Sequence, residues 1–357
     1  MTIGRDLVMR TPRKAMGLLM LRATAALVCT PAIQSGRSIG LSAARSGHRP
    51  KAPIAYSFPL SSTTTNSSPE RDATASTASE ERATTATGIK EEKSHHNDSE
   101  NITQEGLNAY GNHVQPLLRK HMEELTTRNR RTLKTRQHVN PLAATFQRPV
   151  DLPEGWFQSA FENPHAPLLV DIGCAKGTFL MSMAKAHPGR NFLGLEIRRP
   201  IAAVALARAA ELRTRNFHLI CCNVNVDLDA VLTEATRNGA SIDTICIQFP
   251  DPHFKTKHYK RRIVQPELIT CIERHLRPRG TFFMQSDVFE VMEDMRTITR
   301  DTAELLEDTR PDMDDWMEGP EQNPFGIQTE RERVTYAKES PSENRVYRSL
   351  FVKKIIV

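Results

Sequence analysis

No two of the six cysteines, Cys29, Cys174, Cys221, Cys222, Cys246 and Cys271, stand in a Cys-x-x-Cys pair. This removes the usual sequence signatures of zinc ribbons and thioredoxin-like redox centres. Four of the six lie in or beside apolar runs and read as reduced, buried thiols, so no metal site is expected. Long apolar runs are missing too. The patch Met16–Val28 is interrupted by Arg22 and falls short of the roughly 20 residues that cross a bilayer, which argues against a membrane anchor. Acidic residues are nearly absent from the first 68 positions, where Asp6 stands against nine Arg and Lys. The formal charge of +6 favours an acidic partner such as nucleic acid, although this basic stretch raises the figure without touching one.

Those positions, 1–68, have the basic, Ser- and Thr-rich composition of an organellar transit segment, with a secretory signal as the competing reading that Arg22 weakens. Residues 69–116 carry too few large apolar side chains to offset the entropy of ordering them and read as a disordered linker. Residues 117–150 form a basic segment leading into the fold. Arg119, Lys120, Arg128, Arg130, Arg131, Lys134 and Arg136 suit phosphate contact there, and a solvated helix followed by a flexible arm fits equally well. The folded domain is expected over 151–357.

Within that domain the hydrophobic pattern alternates between strand and helix. Leu168–Ile172 ends at Gly173, and Gly177 opens a helical face of Phe179, Leu180, Met183 and Ala184. Strands at Phe192–Ile197, Phe217–Cys222 and Ile242–Phe249 are followed by helices at Ile201–Leu212, Leu228–Thr236 and Pro266–Leu276. A fifth strand, Thr281–Gln285, a helix near Val288–Arg300 and a final strand in Val346–Val352 complete the series. This rhythm predicts an α/β fold with a doubly wound, mostly parallel sheet, whose ligands bind beyond the carboxyl ends of the strands.

The loop Asp171-Ile-Gly-Cys-Ala-Lys-Gly-Thr178 lies at that edge. Gly173 and Gly177 permit a tight turn and close backbone approach, and Asp171 offers an acceptor. Glu196 ends the second strand, 25 residues beyond Asp171, where a carboxylate can take both hydroxyls of a ribose. Dinucleotide folds use the same device. The missing G-x-G-x-x-G spacing disfavours a pyrophosphate ligand and hence NAD. Asn223, closing the third strand, offers hydrogen bonds to an adenine edge or serves as a turn former. The fourth strand then runs into Phe249-Pro250-Asp251-Pro252, and the next ten residues hold His253, Lys255, Lys257, His258, Lys260, Arg261 and Arg262. An acidic group on a proline-stiffened strand end, followed by a cationic loop, reads as a reaction centre beside an RNA phosphate path.

FPDPHFKTKHYKRRI, Phe249–Ile263, closely resembles the P-D-P-x-x-K-x-x-H-x-K-R-R signature of the tRNA (guanine-N7)-methyltransferases. Ser286-Asp287, the element Thr329-Glu330-Arg331-Glu332 and RQHVNP at Arg136–Pro141, the last similar to bacterial and plastid members, extend the resemblance over Arg136–Val357. It implies a class I, Rossmann-like methyltransferase of seven strands that uses S-adenosyl-L-methionine. It further implies transfer of methyl to N7 of the variable-loop guanosine at tRNA position 46. Carried onto this chain, the pattern assigns Asp171, Gly173, Gly177, Glu196, Asn223 and Asp251 to the cofactor, with Asp251 also catalytic. Lys255, Asp287, Thr329, Glu330, Arg331 and Glu332 fall to the substrate, and Lys257, Lys260, Arg261 and Arg262 to RNA phosphates. Asn223 replaces an aspartate of some members, Arg331 a frequent aromatic, and His253 a frequent Trp. Alternatives are a methyltransferase of another RNA and a tRNA-binding protein with a degenerate site. Nothing implies the beta-propeller partner of nuclear eukaryotic members. Leader and RQHVNP together point to the chloroplast ahead of the mitochondrion, with cytoplasm or nucleus as the alternative.

Overall fold

The computed structural model describes residues 114–127 and 138–356 apart from 214, 313, 314 and 341–343. The transit segment and nearly all of the expected linker lie outside the described residues, as do Arg128, Arg130, Arg131, Lys134 and Arg136. Among the described residues, no helix is long and apolar enough to cross a membrane.

Seven strands form one sheet: β1 (Leu168–Ile172), β2 (Asn191–Glu196), β3 (Phe217–Cys221), β4 (Ile242–Gln248), β5 (Thr281–Ser286), β6 (Leu306–Asp308) and β7 (Tyr347–Lys353). Their order is β3-β2-β1-β4-β5-β7-β6. The first five are parallel, and β7 runs antiparallel between β5 and β6. This is the sheet the resemblance implies. The sequence pattern identifies six of the strands. β6 escapes it because three residues, Leu-Glu-Asp, carry no readable alternation and hold their place only by pairing with β7.

Consecutive β1 residues face opposite ways, as strand geometry requires. Leu168, Val170 and Ile172 enter one core layer, with α2 (Trp156–Ala160), α5 (Val224–Arg237), α6 (Pro266–His275) and α7 (Phe289–Thr302). Leu169 enters the other, with α1 (Pro116–Thr127), α3 (Thr178–Ala186) and α4 (Arg199–Glu211). Burial on both faces explains why β1 reads as an unbroken apolar run. Asp171 is the exception, a carboxylate on the same face as Leu169 and 3% exposed.

The fold begins earlier than position 151. Val114, Leu118 and Met122 are buried, and α1 packs on α4, whose Ala202, Ala203, Ala205, Ala207, Ala209 and Ala210 are all buried. Alanines on every side let one helix fit between the sheet and a second helix, so α4 carries no single apolar stripe. Gln115 ties this layer to the sheet edge. Its Oε1 accepts from the Cys221 amide at 2.7 Å and its Nε2 donates to the Cys221 carbonyl at 3.2 Å, extending the ladder of edge strand β3. The amphipathic stretch at 117–127 is therefore a docked element of the fold rather than a solvated helix. Leu118→Ala should cost about 2–5 kcal/mol of stability, measured as a lowered midpoint in urea unfolding; an unchanged midpoint would show α1 to be dispensable.

Candidate active site

A cavity of about 150 Å³ opens at the carboxyl ends of β1, β2 and β4, the edge where doubly wound sheets bind ligands. Gly173, Glu196, Asn223, Asp251 and Arg261 of the expected residues border it, together with His253, Gln248 and, from the segment 138–150 that forms a strap ahead of β1, Val139 and Pro141. Asp171, Gly177, Lys255, Lys257, Lys260, Arg262, Asp287 and Thr329 to Glu332 do not.

The glycine loop is shaped by its backbone. Gly173 has φ +84°, and a Cβ there would project into open space, which leaves room for a ligand against the main chain. Its amide and that of Cys174 donate to the Leu195 carbonyl at 2.7 and 3.2 Å. Ala175, where many glycine loops have glycine, holds φ +50°, a left-handed conformation in which glycine is less strained. Gly177, φ +66°, serves packing instead, since a Cβ would lie 3.0 Å from the Phe217 ring.

Glu196 is 3% exposed and already held by Arg198. Its Oε1 accepts from the Arg198 amide at 2.8 Å and Nε at 2.9 Å, and Oε2 from Nη2 at 3.0 Å. A ribose reaching both carboxylate oxygens would have to displace this partly exposed arginine. Asn223 departs further from expectation. Its Nδ2 donates to the Pro141 and Phe146 carbonyls at 3.2 and 3.0 Å, while Oδ1 accepts from the Asn225 amide as the cap of α5. The side chain is committed to clasping the strap. An adenine edge would meet the Val224–Asn225 end of α5, which borders the cavity.

Asp171 sits beneath the cavity. It accepts from Gln248 Nε2 at 3.2 Å and from the Cys246 thiol at 3.3 Å. Burial pushes its pKa up to about 6, against the pull of these two hydrogen bonds, and the charge of Glu196 adds to the rise.

At the end of β4, Phe249 and His253 hold φ +50° and +43°, turning the proline-flanked loop so that Asp251 is half exposed at the cavity wall. His138 Nδ1 lies 2.7 Å from Asp251 Oδ1. No sequence argument singled out this histidine, although RQHVNP contains it. His253 beside Asp251 has its pKa lowered by burial, so near neutral pH it is an uncharged ring. The cationic loop divides in two. Lys255, Lys257 and Lys260 are exposed along a 3-10 turn. Arg262 is 7% exposed, donates to the Pro252 carbonyl at 3.0 Å and to Asp294 at 2.8 Å, and stacks over Tyr259. That pairing withdraws it from phosphate contact, correcting the expectation. Arg261 borders the cavity, with Nε buried and unpartnered. Phe254, 68% exposed, is a second feature that charge counting missed.

Within the late element, Thr329 and Glu332 are structural. Thr329 caps α8 (Glu330–Tyr336) in a reciprocal box with Glu332. Glu332, fully buried, pairs with Arg348 at 2.8 Å and accepts from Asn323, Gln285 and the Thr329 amide. It has no face toward a substrate. Arg331 is bound to Asp287 at 2.6 Å, so two expected substrate residues are paired with each other, while Glu330 is exposed.

The donor set fits an adenosyl ligand. A carboxylate stands at the β2 end, the Gly173 backbone is open, and Ile172, Ile197 and Val224 offer apolar walls for a purine. Residues 165–344 match the profile of a family described as putative methyltransferases. A tRNA (guanine-N(7)-)-methyltransferase of Thermosynechococcus vestitus is 41% identical over 206 residues, 58% of this chain and 90% of that protein. Namesakes from Synechococcus sp. CC9311 and Trichormus variabilis are each 39% identical, over 60% and 61% of this chain and 86% and 95% of theirs.

A carboxyl whose pKa is raised on folding binds its proton more tightly in the folded state, so stability falls as pH rises from about 4 to about 6. For a shift from 3.8 to about 6 the loss is on the order of 3 kcal/mol. Asp171→Asn keeps the acceptor facing Gln248 and should flatten that part of the stability profile and raise the unfolding midpoint at pH 7. An undiminished slope between pH 4 and 6 would show that other carboxyls carry it.

Proposed function

The chain belongs to the tRNA (guanine-N(7)-)-methyltransferases, and we propose that its target is the variable-loop guanosine at tRNA position 46, held for methyl transfer beside Asp251. The enzyme uses S-adenosyl-L-methionine, which supplies an electrophilic methyl on sulfur. The observation that carries the proposal is Asp251 at the wall of the Gly173–Glu196 cavity, with exposed lysines following within the same loop.

N7 of guanine presents an in-plane lone pair that is unprotonated near neutral pH, so attack on the methyl needs no prior proton removal. As the N7–C bond forms, the S–C bond would break with its electron pair returning to sulfur, leaving a neutral thioether and passing the positive charge to the purine. A fixed carboxylate at the site of developing charge stabilises that transition state more than the ground state. Asp251 supplies it, and Glu196 with the Gly173 backbone holds the cofactor. N7 lies in the deep major groove of A-form RNA, so the guanosine must leave its tertiary contacts to reach the cavity. Phe254, three residues after Asp251 in the same loop and exposed, supplies an aromatic face against which an unstacked base can stack. The exposed Lys255, Lys257 and Lys260 supply cations for RNA phosphates. We propose the chloroplast, ahead of the mitochondrion, as its compartment, on the basic leader and the RQHVNP segment.

Asp251→Asn should reduce turnover by about 10²–10³-fold, the cost of losing one electrostatic stabiliser, with cofactor affinity near that of the parent. The assay is transfer from labelled S-adenosylmethionine to unmodified tRNA, mapped by borohydride and aniline cleavage at 7-methylguanosine. Cleavage away from the variable loop would overturn the target, and near-normal turnover the role of Asp251. Replacing Lys255, Lys257 and Lys260 together by Gln should lower the slope of log affinity against log salt by about 2, since each phosphate left without its cation removes about 0.7–0.9; an unchanged slope means that these lysines do not meet the RNA backbone.

A further inference from the structure

On the outer side of the sheet, away from the residues of the cavity, three metal-ligating groups converge between α5 and α6. Cys271 and His275 stand one turn apart on α6, a spacing that puts both on one helix face. Asp229 projects from α5. Its Oδ1 lies 2.8 Å from His275 Nε2, 3.9 Å from Cys271 Sγ and 2.9 Å from Arg274 Nη1. The three ligand atoms lie within 4.8 Å of one another, close to the separations of ligands around a tetrahedral zinc-class ion with bonds of about 2.0–2.3 Å.

The two α6 ligands are sheltered and the third is not. Cys271 and the His275 side chain are each 8% exposed, and Asp229 is 56% exposed. Water therefore has access on the Asp229 side, as a three-ligand site with a solvent position requires. Arg274, 60% exposed, is the competing cation. It approaches Asp229 from solvent and can swing away without unburying anything. Arg274 and His275 both pair with Asp229 in the absence of metal; the Cys271 thiol, 3.9 Å from the same carboxylate oxygen, brings a third ligand type to the same point, and that convergence is what a cation would join. In the metal-free protein burial and the Asp229 charge hold the Cys271 thiol up at about 12, which argues against a nucleophile; a bound divalent cation reverses that influence.

We propose that Asp229, Cys271 and His275 form a binding site for one divalent cation of the zinc class, with water as fourth ligand, stapling α5 to α6. These helices flank the active site in sequence: α5 begins at the Asn223 cap, and α6 follows directly after the Phe249–Ile263 loop. A cation there ties the two together. A search for Cys-x-x-Cys spacing passes over it, because the ligands are four residues apart on one helix with the third supplied by a neighbour.

The test uses the untagged full chain titrated with Co²⁺. One equivalent should produce a near-ultraviolet thiolate-to-cobalt band and the visible bands of a four-coordinate site, both abolished by Zn²⁺, and should raise the melting temperature. Cys271→Ser should lose the thiolate band while keeping the fold, judged by circular dichroism. His275→Gln should weaken binding by more than the roughly 10–100-fold typical of outer-shell changes. Arg274→Ala, which removes the competitor, should tighten it. A thiolate band that persists in Cys271→Ser, or no such band at one equivalent, overturns the proposal.

Discussion

One hydrogen-bonded chain crosses the sheet beneath the cavity and sets the positions of nearly everything above it. Arg348 on β7 donates to Gln285 on β5 at 3.0 Å, Gln285 to Gln248 on β4 at 2.7 Å, and Gln248 to Asp171 on β1 at 3.2 Å. All donors point the same way, from a buried guanidinium toward a buried carboxylate. Aligned amide dipoles of this kind reinforce one another in a low-dielectric interior. The parallel register that sets Gln248 opposite Gln285 makes the chain possible, and the antiparallel return of β7 brings Arg348 opposite Gln285. At its far end Glu332 closes the circuit on Arg348 and Gln285, and through Thr329 it fixes the start of α8. Asp171 at one end and the Thr329–Glu332 element at the other are thus the two anchors of one polar layer. Such a network stands only if every member is satisfied, which explains why buried acidic groups lie so close to the active site.

The strand and helix rhythm was legible because burial on both faces of β1, β2 and β4 writes unbroken apolar runs between glycine and proline breaks. The end of β4 and its proline-stiffened acidic turn were equally plain. Side-chain commitments were harder to read. Asn223 at a strand end looks the same in sequence whether it meets an adenine or a peptide carbonyl; only the strap at Pro141–Phe146 decides. Arg262 is indistinguishable by charge from Lys260, yet one is locked on Asp294 and Tyr259 and the other faces solvent. Thr329 and Glu332 form a local capping box, a pattern readable from Thr-x-x-Glu alone, but the partner Arg348 is sixteen residues away and no local signal announces it. Docking of α1 was hidden for a related reason: its contact surface is alanine on α4, and alanine marks close approach without advertising it.

The segment before β1 has more to do with the site than its composition suggests. Val139 and Pro141 border the cavity, Asn223 clasps the strap at two carbonyls, and Asp227 accepts from the Val150 amide at 2.8 Å while also receiving the Asn223 amide at 3.1 Å. His138 adds a contact with Asp251 itself. The strap therefore touches both the cap of α5 and the Asp251 carboxylate. Movement of residues 138–150 would alter the cavity wall and the surroundings of Asp251 together, so the part of the chain that leads into the fold is also part of its active site.

The chemistry explains why Asp251 can stand where it does. A carboxylate that had to remove a proton would gain from deep burial, which raises its basicity, and would then need a dry pocket around it. A nucleophile with a ready lone pair makes no such demand. What it requires is a negative group held at a fixed angle to the incoming base, and a turn with two prolines and two left-handed residues supplies the angle without enclosing the group. Partial exposure then keeps the desolvation cost small and leaves the wall open to a large, polyanionic substrate. The cost of that openness is screening, since charge exposed to water acts over a shorter range. On the proposed role, a base arriving against Asp251 would restore the range by excluding solvent from the carboxylate. The loop that presents Asp251 also carries the exposed lysines and Phe254, so on the proposed role seating of the RNA and strengthening of the electrostatic contact would be one event.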